Sequence, residues 1–180
     1  MLRKNLFKVK NQNGFSLLEV LIVVAIFTML AAACSILLTA GYDSWRINKT
    51  QIELQQELRK ATDWIAQELR IGGTSTITNL AADGTWRNTI TFKISNGVVS
   101  GNIDWYIYTT TFVLGGTSSN QLQRQSGLDT RIIANNISSL QFRRLASAPN
   151  IVEVSLQATK NTFKGNPVTM STNFKVRMRN

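Results

Sequence analysis

The chain has 180 residues, 43% of them hydrophobic and 17% charged, with 2 Pro and 11 Gly, a composition that suits one packed domain and excludes a disordered or collagen-like polymer. It contains no histidine and one cysteine, Cys34, which removes His-based catalytic triads, zinc sites of the Cys/His kind and any internal disulfide. The net charge of +10 is unevenly spread: residues 1–14 carry four bases and no acid, residues 15–80 five bases and six acids, and residues 81–180 eleven bases and four acids.

In chain order, the four bases Arg3, Lys4, Lys8 and Lys10 come first, followed by an uncharged run of 23 residues from Val20 to Tyr42. At ~1.5 Å per residue such a helix spans about 34 Å, enough to cross a hydrocarbon core of ~30 Å. Bases ahead of the run place the N-terminus in the cytoplasm and everything after Asp43 outside it. Three readings fit the run: a retained anchor, a cleaved secretory signal, and a lipoprotein signal ending at Ala31-Ala32-Ala33-Cys34. Against the last, Ala31 stands where a large aliphatic residue is usual, and a carboxylate, Glu19, stands at the start of the apolar run. An acidic side chain carried to a bilayer centre costs roughly 2.5 to 3.5 kcal/mol and less near an interface, so it is kept for a partner.

The segment Gly14-Phe15-Ser16-Leu17-Leu18-Glu19, behind a basic leader and ahead of an apolar helix, resembles the type IV prepilin family. The resemblance implies a leader, residues 1–14, that a prepilin peptidase removes by cutting between Gly14 and Phe15. It also implies N-methylation of Phe15, and a Glu19 carboxylate, fifth in the mature chain, that meets the N-terminal amine of a neighbouring subunit during assembly. The chemistry suits those roles. Glycine disfavours helix by about 1 kcal/mol and leaves the scissile peptide unshielded, and opposite charges attract strongly once both leave water.

Beyond the apolar run, Ile47, Leu54, Leu58, Ala61, Ile65 and Leu69 recur at helical spacing and predict a buried stripe, with Lys49, Glu53, Arg59, Lys60, Asp63 and Gln67 on the solvated face. Lys49 with Glu53 and Glu57 with Lys60 have the spacing of helix ion pairs, worth a few tenths of a kcal/mol each. Gly72-Gly73 is expected to end the helix through a left-handed cap. From Phe15 to Ile71 nothing breaks helix, which predicts a rod of roughly 85 Å.

After Gly73 the period changes from 3.6 to 2. Strands are expected at the end of 86–94, over Ile103 to Leu114, Leu122 to Arg124, Ile137 to Leu145, Ile151 to Ala158 and Val168 to Arg177, with turns at Ser95-Asn96-Gly97 and over Gly115 to Asn120. The fold class is therefore α+β, a long N-terminal helix packed on an antiparallel β-sheet domain. Its parts are a leader (1–14), a hydrophobic transmembrane and assembly helix (15–42), an amphipathic continuation (43–73) and a β-rich extracytoplasmic domain (74–180). Gly115-Gly116 lacks the Lys-Ser/Thr of a phosphate loop, and Asp83, Asp104, Asp129 and Glu153 are too dispersed to define a calcium cage. The chain is read as a non-enzyme with no catalytic residues, no metal and no cofactor.

Within the prepilin-like group, Ala25-Ile26-Phe27, Leu69-Arg70, Leu122-Gln123-Arg124, the stretch Ile137 to Arg143, Val152 to Leu156 and the basic end Lys175 to Asn180 are similar to the J-type minor pseudopilins of type II secretion. This resemblance implies a structural subunit of the pseudopilus tip or initiation complex, anchored once in the bacterial inner membrane with its C-terminal domain in the periplasm. Its partners would be prepilin peptidase, other minor and major pseudopilins, the inner-membrane assembly platform and membrane lipid. The alternative is a minor pilin of a type IV or competence pilus that binds nucleic acid, with Arg143, Arg144, Lys175, Arg177 and Arg179 as phosphate contacts and Trp86, Phe92, Trp105, Tyr106 and Tyr108 available to stack bases. Under the secretion reading, Phe174, Val176 and Met178 offer an apolar face to sister subunits.

Overall fold

A computed structural model describes residues 16–179; the leader and the Gly14–Phe15 junction lie outside the described residues. The chain divides into two compact units, one ending at Ser44 and the other beginning at Trp45.

Helix α1 (Leu17–Ile71) opens on Ser16, whose Oγ accepts the Glu19 N–H at 3.2 Å while its carbonyl accepts the Val20 N–H at 3.2 Å. A serine oxygen that takes up an otherwise orphaned N–H of the first turn is an N-cap, worth about 1 kcal/mol. In the unit ending at Ser44, the large apolar side chains from Val20 to Leu38 are all at least half exposed. The helix is long and apolar enough to cross a membrane, with a mean hydropathy of 2.8 in its most apolar stretch. Three hydroxyls in that stretch are satisfied within the helix: Thr28 donates to the Ala25 carbonyl (2.8 Å), Ser35 to Ala31 (2.9 Å) and Thr39 to Ser35 (2.8 Å). Each would otherwise be an unmet polar group in an apolar medium.

In the second unit, Leu54, Leu58, Ala61, Ile65 and Leu69 form the buried stripe of α1. At about 1.5–3 kcal/mol for each buried Leu or Ile, this stripe outweighs the surface ion pairs in holding the helix to the domain. Ile47 departs from expectation: it is exposed, because burial on α1 begins only at Leu54. The domain also holds seven strands in two antiparallel sheets, where the sequence suggested one. The first sheet orders β1 (Ile90–Val99), β2 (Asn102–Gly115), β3 (Gln121–Ser126) and β4 (Asp129–Ala134); the second orders β5 (Ile137–Leu145), β6 (Ala148–Asn161) and β7 (Pro167–Arg177). Phe92, Phe112 and Leu122 from the first sheet and Leu140, Phe142, Val152, Leu156 and Val176 from the second share one core with the helix stripe.

Four local expectations are corrected. Strand β4 shows no alternation in sequence and was not expected as a strand; it is a short edge strand that buries Ile133 and Ala134 and leaves Ile132 exposed. Ser95-Asn96-Gly97 is not a turn but a pair of bulges inside β1. Ser95 Oγ accepts the Gly97 N–H at 3.2 Å there, and the hairpin reverses instead at Ser100-Gly101, both with positive φ. Glu53 bonds Lys160 of β6 at 2.6 Å and not Lys49, whose ammonium lies 5.7 Å from the Trp45 ring centroid; Glu57 and Lys60 do pair, at 2.7 Å.

The fourth correction concerns Gly72-Gly73. The helix does end there, but not through a left-handed cap, since Gly73 is extended, with φ −87 and ψ 128. The reason for two glycines is close approach. Gly72 bridges to Ile94 of β1, and Gly73 to Arg179 beyond β7. Gly73 N–H donates to Lys93 O (3.2 Å), Arg179 N–H to Gly72 O (3.1 Å) and Thr74 N–H to Arg179 O (2.9 Å). The segment thus stitches the first sheet to the end of the second. A Cβ on Gly72 would come within 2.5 Å of Phe92 Cδ2 and 3.0 Å of Met178 Cε, and one on Gly73 would overlap the Trp105 ring.

Candidate functional site

The start of α1 is the candidate site. Ser16 and Glu19 form the first half of a Ser-x-x-Glu capping box, a local signal that the Ser16-Leu17-Leu18-Glu19 spacing carries by itself. The cap sets Glu19 at the third helical position, exposed, in the turn where the helix dipole favours a carboxylate by about 0.3–1 kcal/mol. Gly14 and Phe15 lie outside the described residues. Immediately C-terminal to Glu19 the exposed apolar surface begins, with Val20, Leu21, Ile22, Val23 and Val24 each half exposed or more. Chemically, this combines one acid held at a helix start with an apolar surface that needs lipid or neighbouring helices to cover it.

Part of the charge of the β domain is held in ion pairs. Register aligns Arg143, Glu153 and Lys175 across β5, β6 and β7. Glu153 accepts from Arg143 Nε at 2.5 Å and from Lys175 Nζ at 2.6 Å, and the Arg143 guanidinium lies 4.5 Å from the Trp86 ring centroid. Arg144 pairs in register with the buried Val152, on the other face of that sheet, and its Nε is buried without a hydrogen-bond partner. Arg179 is tied through its backbone to Gly72 and Thr74. Of the five bases proposed as phosphate contacts, Arg144 thus stands on the other face of the sheet from Arg143 and Lys175, while Lys175, Arg177 and Arg179 occupy alternate exposed positions at the end of the chain. Of the five aromatics, Phe92 is core, Trp105 covers Gly73, and Tyr106 and Tyr108 are about half exposed, lining an open cleft of about 540 Å³ with Arg124 and Asp129. Val176 and Met178 are buried in the core and Phe174 packs against it, so the apolar face assigned to sister subunits is used inside the fold.

Two carboxylates of the domain have opposite pH signatures. Lys175, then Arg143, hold the Glu153 carboxyl below its ordinary value of 4.5, so the folded chain releases that proton more readily than the unfolded one. The stabilisation is complete above pH 4.5 and is lost as pH falls through the folded value. Glu68 is the reverse case. Burial raises its pKa, outweighing the Arg124 guanidinium that bonds it at 2.6 Å, and its Oε2 has no partner. The folded chain binds this proton more tightly, so lowering the pH from neutral through the folded value adds stability. Urea unfolding from pH 4 to 8 is expected to show Glu153→Gln losing about 1 kcal/mol at neutral pH, after screening at the exposed Lys175, with a flatter acid limb. Glu68→Gln should match or exceed the parent at neutral pH. A large loss for Glu68→Gln, or none for Glu153→Gln, would contradict these assignments.

Among the described residues no group of three or more His, Cys, Asp or Glu side chains converges as a metal site would. A long apolar helix, serine-capped with a carboxylate in its first turn and continuing into a domain of antiparallel sheets, is a pilin-like α+β arrangement. Residues 9–40 match the family described as the prokaryotic N-terminal methylation motif, which supports a type IV prepilin-like protein. The match covers the segment around Gly14, Phe15 and Glu19 together with most of the apolar run, and stops short of the β domain. Comparison with curated proteins gives no significant match. Comparison with solved structures gives none either.

Proposed function

We propose that this chain is a minor pseudopilin, a structural subunit of the tip or initiation complex of a type II secretion pseudopilus, matured by a prepilin peptidase. The observation that carries the reading is the methylation-motif match over residues 9–40, whose helix begins at a serine cap with Glu19 in the first turn and leaves its apolar surface bare. A retained apolar helix of this kind anchors the precursor in the inner membrane with the β domain in the periplasm. It later covers its surface with the helices of sister subunits. Removal of residues 1–14 takes away four bases and leaves a cationic amine at Phe15. Glu19 of a neighbouring subunit offers that amine a counter-charge in a low-dielectric setting. Glu153 neutralises Arg143 and Lys175 and Arg144 stands on the other face of the sheet, which speaks for a structural role over phosphate binding.

Processing is tested by the intact mass of the membrane form from cells with an active prepilin peptidase. The expected product lacks residues 1–14 and carries a methyl group on the Phe15 amine. A lipid-modified N-terminal Cys34 would establish the lipoprotein reading instead. For assembly, Glu19→Ala should insert as well as the parent, because a polar burial is removed, while crosslinking to other minor pseudopilins in membranes should fall about tenfold, the loss expected when one desolvated charge pair is broken. Undiminished crosslinking and secretion would leave Glu19 without an assembly role.

A further inference from the structure

The inner face of the first sheet continues past the core. Side chains two apart on a strand share a face, and along β2 that face runs from Phe112, fully buried, and Thr110, 1% exposed, to the half-exposed Tyr108 and Tyr106. The two tyrosine rings lie 6.0 Å apart between centroids, at 56° to one another. With Arg124 and Ser126 of β3 and Asp129 of β4 they line the open cleft, which lies wholly within the unit beginning at Trp45. Tyr108 is backed by the β3–β4 turn, where Gly127 takes φ +60 and an added Cβ would come 3.1 Å from the ring. Register sets Ser126 opposite Thr110 and Arg124 opposite Phe112. Glu68 accepts the Arg124 Nε–H at 2.6 Å and so fixes the guanidinium at the cleft wall. Among the described residues, the Thr110 and Ser126 hydroxyls and the Asp129 carboxylate make no hydrogen bond.

A hydroxyl buried as deeply as that of Thr110 is costly without a partner, and the cleft is where it opens. The charge lining the cleft is one base and one acid, and Glu68 further balances the base. A phosphate or carboxylate ligand would meet Asp129, and a cationic one would meet Arg124, so neither sign is favoured. Nucleic acid bases could stack on the same rings, but their phosphates bring the charge that Asp129 opposes. What the walls offer is two aromatic faces beside hydrogen-bond donors and acceptors. That combination fits a ligand with an apolar ring face and a rim of hydroxyls. We propose that the cleft is a binding site for a neutral saccharide: a pyranose packs its C–H face on Tyr106 and Tyr108, while its hydroxyls bond Thr110, Arg124, Ser126 and Asp129. The cleft volume of about 540 Å³ falls in the ~300–1,000 Å³ range of ligand sites. No residue of the leader or the apolar run takes part, so the site stands independently of the secretion reading and gives the β domain a glycan partner.

The test is saturation-transfer NMR on the full chain in a zwitterionic detergent without a sugar headgroup. The probes are cellotriose, the trimer of N-acetylglucosamine, trigalacturonate and a single-stranded oligothymidylate. The expected result is saturable binding of at least one neutral trisaccharide below about 10 mM, with transfer to its ring C–H protons and an affinity that salt changes by less than about twofold. Tyr106→Ala and Tyr108→Ala should each weaken binding about tenfold. Thr110→Val, which keeps the shape and removes the hydroxyl, should weaken it about fivefold, as should Asp129→Asn. Ile107→Thr, on the opposite face of β2 and 78% exposed, is the control and should leave binding unchanged. Near-ultraviolet circular dichroism checks the fold of every variant; if a tyrosine variant unfolds, Thr110→Val and Asp129→Asn decide. Absence of saturable binding for both neutral sugars overturns the proposal. So does binding that the cleft variants leave unchanged. Tighter binding of trigalacturonate or the oligonucleotide, with a steep loss in salt, overturns it as well and makes the cleft an anion site. None of these outcomes alters the mass and crosslinking tests of the pseudopilin reading.

Discussion

Gly14→Val should abolish leader removal, so that only the precursor, with all four leader bases, accumulates in the membrane. A β-branched side chain at the scissile peptide crowds the carbonyl that a peptidase must reach and narrows the extended conformations that glycine allows. Gly14→Ala separates sterics from backbone preference. If the ~1 kcal/mol difference in helix propensity were its whole effect, cleavage would slow about fivefold and still go to completion. Time courses of precursor and mature mass in cells with an active prepilin peptidase distinguish the two variants. Normal maturation of Gly14→Val would remove the prepilin reading of the junction. The match over residues 9–40 would then describe a sequence likeness without the chemistry.

Gly72→Ala should destabilise the β domain by about 2–3 kcal/mol, a drop in Tm of roughly 10 °C. The added methyl meets Phe92 Cδ2 at 2.5 Å and Met178 Cε at 3.0 Å, and Phe92 is fully buried against Phe112, with ring centroids 6.2 Å apart. Neither ring has room to retreat. The clash is specific, so shrinking the partner should relieve it: Phe92→Leu combined with Gly72→Ala should be less destabilised than the sum of the single variants, with a coupling of at least about 1 kcal/mol. Gly41→Ala is the internal control. Nothing lies within 4 Å of its added Cβ, and an alanine inside a helix favours it by up to about 1 kcal/mol. Thermal unfolding of the full-length chain in detergent, followed by near-ultraviolet circular dichroism, reads all four. Equal effects for Gly72→Ala and Gly41→Ala would mean that Gly72 matters for helix termination and not for packing.

The two glycines show where sequence reasoning stopped. Their identity announced a helix end, and the end falls between Ile71 and Gly72. Helix termination and close approach leave the same local mark, however, and only the partner residues tell them apart. Those partners, Phe92, Trp105, Met178 and Arg179, lie between about twenty and more than a hundred positions away. A similar gap explains Glu68. Its charge masks its place three residues beyond Ile65 on the buried side of the helix, and its counter-ion, Arg124, belongs to β3, which runs from Gln121 to Ser126 and not only from Leu122 to Arg124. In contrast, Ser16 was readable. A Ser-x-x-Glu pattern ahead of an apolar run signals a helix start by itself, and the capped turn at Glu19 needs no tertiary partner.

By itself, the sequence determined several features that depend on composition and short-range spacing. This covers the apolar helix and its end at Ile71, the stripe from Leu54 to Leu69, and β5 to its end residues. These are local because helix periodicity, capping and hydropathy act within a few residues. The tertiary structure alone decided that the strands divide into two sheets, and that Glu53 turns to Lys160 rather than Lys49. It also put Phe174, Val176 and Met178 to use inside the fold, and made Glu153 the shared anion of Arg143 and Lys175. Each of these is a choice among partners of similar chemistry. The β alternation says that one side of a strand is buried, yet what buries it is set by chain reversals and sheet order, which no short window of sequence contains.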